Sequence, residues 1–135
     1  MASADRTLIP AQSDGDLNFP TVTDLSALQY KFVILNTSNQ VVVCGANGKP
    51  LGILQNAPDG SSDQATAIVR LWGASKLKLA EAVLHGNFLT STAAGLGEVA
   101  DAANEEFGAV AIGAGDAGDL LAVNIQHGEV TASDA

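Results

Sequence analysis

Cysteine, aromatic residues and positive charge are all scarce in this chain. Cys44 is the only cysteine, so no disulfide can close within it and the fold rests on non-covalent packing. A reducing site of synthesis fits that usage. Six Lys and Arg stand against fifteen Asp and Glu, a net charge of −9. Sequence-independent binding to nucleic acid needs cations that displace counterions from phosphate, and anionic lipid attracts polybasic segments. The charge balance therefore argues against both nucleic acid and membrane as partners. No apolar run approaches the roughly 20 residues of a membrane-spanning helix. The opening stretch MASADRTLIPAQSDGD lacks the apolar core of a secretory signal. With one Trp and one Tyr, the chain has little material for an aromatic-lined sugar groove.

What the chain does have is aliphatic residues and glycine. Hydrophobic residues make up 47% of its 135 positions and charged residues 16%, which suits one domain with a buried core. The charge is segregated. Residues 1–29 are mildly acidic and residues 30–90 carry a small basic excess, from Lys31, Lys49, Arg70, Lys76 and Lys78. Residues 91–135 hold eight acids and no base. Such a distribution suits a solvated acidic face, or head-to-tail contact between copies.

Residues 1–29 mix Pro10, Gly15 and Pro20 with Ser, Thr, Asn and Asp, a loop composition. The apolar residues Leu8, Ile9, Leu17, Phe19, Val22, Leu25 and Leu28 interrupt it. An extended N-terminal arm lying across a surface, its own or a neighbour's, is expected there. From Tyr30 onward, short β-type runs alternate with turn residues. Strands are predicted at 30–35, 41–44, 51–55, 67–72, 75–79, 88–90, 98–100, 109–112 and 120–125, with two of them flanking a turn at 101–106. Ala80–His85 is read as one short helical turn ending at Gly86. The expected fold is all-β, a small barrel or sandwich over residues 30–126 with a C-terminal tail at 127–135. A faint internal echo runs through it. Gly52-Ile53-Leu54, a Gly-containing loop and Ala67–Leu71 match Gly108-Ala109-Val110, a second loop and Leu121–Ile125.

The motifs that could carry chemistry are weak. Gly113–Gly118 has the GxGxxG spacing, but a strand rather than a helix follows, and Asp116 and Asp119 would repel phosphate. Gly45–Pro50 is two residues short of a phosphate loop. Cys44, His85 and His127 lack the pairing of a zinc site. Asp116 and Asp119 lack the spacing of an EF-hand. No GxSxG nucleophile elbow is present. No catalytic residue, cofactor or metal is therefore expected. Trp72, beside Arg70, suits either the end of a barrel or a subunit contact.

The run Gly48-Lys49-Pro50-Leu51-Gly52-Ile53-Leu54-Gln55-Asn56-Ala57-Pro58, followed by Ala67–Lys78, resembles the capsid cement, or head decoration, proteins of bacteriophages. So do Gly86–Thr90 and the Gly-rich hairpin after them. The likeness extends over residues 30–126. The long N-terminal segment and His85-Gly86-Asn87 depart from the family pattern. The resemblance implies a non-enzymatic virion protein on the outer capsid surface, binding as trimers to the major capsid protein and stabilising the expanded head. Leu8, Ile9, Leu17 and Phe19 are the expected arm anchors, with Arg70 and Trp72 as an interface pair. The rival expectations are a displayed adhesion module that binds glycan or receptor, and a small enzyme using His85 or His127.

Overall fold

The computed structural model describes residues 15–61 and 65–131. Among them are ten strands and no helix. The strands are β1 (Asp16–Pro20), β2 (Phe32–Leu35), β3 (Val41–Val43), β4 (Gly52–Leu54), β5 (Thr66–Arg70), β6 (Gly73–Lys78), β7 (Phe88–Ser91), β8 (Gly97–Val99), β9 (Glu106–Ala111) and β10 (Leu120–Glu129). They form two five-stranded sheets, β1-β5-β4-β2-β3 and β6-β10-β9-β7-β8, antiparallel throughout. The all-β expectation holds as a sandwich. It does not hold as a closed barrel. The second sheet curls until Leu79 bridges Gly97, but that single parallel bridge never extends into a ladder.

Three further readings change. Asp16–Pro20, expected within an extended arm lying across a surface, is an edge strand of this chain's own first sheet, paired with Thr66–Arg70. Strand β10 runs through residue 126 to Glu129. Ala80–His85 is not helical: the Leu79 and Val83 amides donate to Asp119 and Gly115 carbonyls, which pins the segment against the β9–β10 loop. The strands flanking the turn at 101–106 both form, yet β7 lies between them in the sheet.

Alternating side chains put the aliphatic residues where the core needs them. Neighbours on one strand serve opposite faces. Phe32 and Ile53 join Leu77, Leu89, Ala109, Leu121, Val123 and Ile125 between the sheets. Val33 and Leu54 instead join Val41, Ala67 and Val69 on the far face of the first sheet, and Leu25 and Leu28 cover that face. The first sheet is thus buried on both sides, part of it beneath residues from the expected arm. Each fully buried Leu, Ile, Val or Phe contributes on the order of 1.5–3 kcal/mol. The sheets are also stitched by backbone bonds, Phe32 N–H to Gly95 O at 2.8 Å and Lys78 N–H to Tyr30 O at 2.9 Å.

The two sheets are built alike. Their strand orders coincide when the strand number is advanced by five. Left-handed backbone occurs at Gly15, Tyr30, Asn39, Asn47 and Gly60 in the first half, and at Gly73, Gly86, Gly95, Asn104 and Gly118 in the second, in the same order at nearly constant spacing. The Asn36 side-chain oxygen accepts from the amides of Ser38 and Gln40; 56 residues later, Thr92 Oγ1 accepts from Ala94 and Leu96. The faint echo in the sequence falls on β4–β5 and β9–β10, the matching pairs.

The halves meet at a corner of two residues, Leu71 and Trp72. Arg70 holds it. Its Nε and Nη2 donate to the two Asp16 carboxylate oxygens at 2.7 and 3.2 Å, and Nη1 donates to the Ala74 carbonyl at 2.8 Å. One guanidinium therefore ties β1, β5 and β6 together. Arg70→Met should cost about 1–3 kcal/mol, the value of a partly buried charge-assisted pair, read as a lower midpoint in urea. Gly52 offers a sharper test of sheet packing. A Cβ there would lie 2.2 Å from the Arg70 carbonyl oxygen, whereas at Gly45 it would meet nothing within 4 Å. Gly52→Ala should destabilise by about 2–4 kcal/mol and Gly45→Ala by less than about 0.5 kcal/mol in the same titration.

Candidate interaction surface

The residues expected to bind a partner fall into three groups. Leu8 and Ile9 lie outside the described residues. Leu17 and Phe19 lie on β1 opposite Val69 and Ala67, and Phe19 packs on the apolar cluster of the first sheet. Phe19 serves this chain's own core and Leu17 is half-buried beside it, because β1 completes the sheet edge beside β5. Arg70 is committed to Asp16 and the corner. Trp72 stays 46% exposed, with its indole against the Gly15 backbone, where φ is +95° and a Cβ would come within 2.7 Å of the ring. Arg70 and Trp72 thus sit together at the joint between halves, and only the indole faces outward in part.

The candidate chemical groups stay apart. Cys44 is buried, and its thiol pKa is raised by that burial against a lowering contact with Ser91. His85 Nδ1 donates to the Ile112 carbonyl. His127 is exposed in the irregularity of β10 between Ile125 and Gly128. The glycine loop at 113–118 joins two antiparallel strands, with the Asp116 amide donating to Asp119 Oδ2. Among the described residues no group of three or more His, Cys, Asp or Glu is placed to hold a metal ion.

Apolar exposure was less legible in the sequence. Leu84, Ile112 and Leu120 are 69%, 47% and 51% exposed, all at one end of the second sheet; Val22, at 71%, belongs to the first half. The Gly86 amide donates to the Ala111 carbonyl, which holds the Leu84–Asn87 turn against the end of β9. The Ile112 amide donates to the Ala122 carbonyl, so Leu120 is its diagonal neighbour on the outer face. Across β10, Leu120 and Ala122 face Lys78 and Lys76, both exposed. The alternating pattern of β10 marked which of its residues turn outward. Ile112 and Leu84 stand in loop ends, where no periodicity reads orientation.

Acids cluster elsewhere. Partial burial raises the pKa of Glu98 on β8, and repulsion from Glu81, Glu105 and Asp101 adds to it. Glu98 therefore binds its proton more tightly in the folded chain, and its stabilising effect is lost as pH rises through that raised value. Asp24 and Asp59 have the opposite sign: hydrogen bonds from Ser26 and Ser61 lower their pKa values, and that contribution is lost on acidification. Glu98→Gln should raise the thermal midpoint at neutral pH, with the gain vanishing below the ordinary glutamate range. A gain that persists unchanged at acid pH would refute the electrostatic cause.

No protein-family model and no curated protein matches the chain. A solved structure described as the head fiber gp8.5 N base in bacteriophage phi29 is similar to it in fold, with a TM-score of 0.64 and 13% sequence identity. The match covers 82% of this chain and 92% of that one, a likeness of architecture across nearly the whole of the neighbour.

Proposed function

We propose that the chain is a structural protein of a phage virion, seated on the outside of the head, where it cements the shell by bridging major capsid protein subunits. The observation that carries this reading is the shared architecture with a phage head-fibre base over 92% of that base. The decoration-protein motif at Gly48–Pro58 and Ala67–Lys78 supports it separately, because it rests on residues and not on fold. Those residues build β4, β5 and β6 and the corner between them, so the motif is a scaffold signature. Function on this reading needs no reaction. A ligand that binds only the assembled shell stabilises it by RT ln(1+[L]/Kd) at each site, and repetition over a lattice, as trimers, adds avidity. Because β1 is part of the sheet, the segment left to act as a shell-binding arm is 1–14, with Leu8 and Ile9 as its anchors.

The test is occupancy and rupture. Purified heads of the phage that encodes the chain should carry it in fixed stoichiometry. Heads stripped of it should rupture at lower temperature, and adding the protein back should restore them. Removing residues 2–14 should weaken head binding by about tenfold or more while the unfolding midpoint of the domain stays put. Heads that lack the protein, or binding to a glycan array with no effect on heads, would overturn the reading.

A further inference from the structure

The repeat permits a comparison within one molecule, position by position. The Asn87 amide donates to the Leu84 carbonyl as the Lys31 amide does to that of Leu28, so Leu84 and Leu28 are equivalent. The Ile112 amide donates to Ala122 as Gln55 does to Ile68, which equates Ile112 with Gln55 and, two residues before each acceptor, Leu120 with Thr66. In the first half these positions are quiet. Leu28 packs on the chain's own core. Gln55 bonds the Ile53 carbonyl and the Ser75 hydroxyl, and Thr66 is a half-buried polar residue. The second half turns all three positions into exposed aliphatics. The fold does not require this, because in the first half the same turn forms with a leucine packed on the core and the same ladder with two polar residues.

We infer that Leu84, Ile112 and Leu120, bordered by Lys76 and Lys78, form a docking face for an apolar, carboxylate-bordered surface of another protein. On the reading above, on which this inference rests, that protein is the head shell. Charge selects the occupant. Two exposed lysines stand across from Leu120 and its neighbour Ala122, on a chain whose net charge is −9. A surface with carboxylates around an apolar patch complements both features, and on the reading above the shell supplies it. Exposed aliphatics grouped in this way mark contact surfaces more often than scattered single ones do.

The experiment uses the full chain and heads of the phage that encodes it. The triple variant Leu84→Ser, Ile112→Thr, Leu120→Thr is compared with wild type in thermal unfolding, sedimentation of the free protein and co-sedimentation with heads. Expected are an unfolding midpoint no lower than wild type, an unchanged oligomeric state, and head binding weaker by about tenfold or more. Lys78→Glu should weaken binding too, and Val22→Ser should leave it alone. If the triple variant unfolds, the single Leu84→Ser, at the most exposed of the three positions, serves the same comparison. Wild-type binding matched by a folded variant overturns this face and leaves the shell reading standing. Wild type that fails to bind heads overturns both. A changed oligomeric state of the free variant assigns the face to a second copy and overturns the inference.

Discussion

The structure turns on a corner. Between Arg70 and Gly73 the chain has two residues in which to leave one sheet and enter the other. The first sheet ends with β5 flanked by β1 and β4, and the second begins with β6 as an edge strand. Arg70 bridges that switch, donating to the Asp16 carboxylate on β1 and to the Ala74 backbone carbonyl on β6. The Leu71 amide donates to the Gly15 carbonyl, and the Trp72 indole closes over Gly15. Gly15 and Gly73 both have φ above +90°, a backbone that side-chain-bearing residues rarely adopt. The start of β1 and the start of β6 are therefore the same device used twice, and the corner locks one against the other.

Using one five-stranded plan twice also answers the composition. A chain with few aromatics cannot fill a large core with a few big side chains. It fills many small sites instead, with Val, Leu, Ile and Ala facing one another between the sheets and again beneath Leu25 and Leu28. Each sheet leaves one apolar face that only a second layer can cover, and the segment between the first and second strands of each half contributes to that cover. In the first half it places Leu25 on the far face of the sheet; in the second it places Leu79 and Val83 in the core between the sheets.

Much of this architecture was legible because strands with one or two buried faces leave periodic aliphatic runs, as in Phe32–Leu35, Leu77–Leu79 and Leu120–Ile125. Strand β1 was not. Its two inward residues, Leu17 and Phe19, sit among Asp16, Asn18 and Pro20, and the partner that makes them a strand lies some fifty residues away. Tyr30 was read into a strand on its β-propensity, but the turn entering β2 needs a left-handed residue there, the place Gly86 fills before β7. The helical turn at 80–85 failed for a related reason. Short apolar runs carry no period that separates helix from extended chain, and hydrogen bonds to the 113–119 loop decided the matter. Arg70 and Trp72 suit an interface because those residue types recur at hot spots. Here the ion pair at the corner takes the arginine.

The comparison between halves reaches further than composition could. An exposed leucine on an ordinary surface means little, because most protein surface is apolar in part. An exposed leucine where the same fold, in the same chain, uses threonine or a leucine packed on the core is different, since the scaffold's needs have been met once without it. Lys78 gains meaning in the same way: it stands across from Leu120 on β6, and its β1 counterpart Pro20 stands across from Thr66. One half of the molecule carries Gln55 and Thr66 at that edge, and the other carries Ile112 and Leu120 beside positive charge. The exposed positions contribute nothing to the core between the sheets, so they can differ between the halves without touching the corner that holds the halves together.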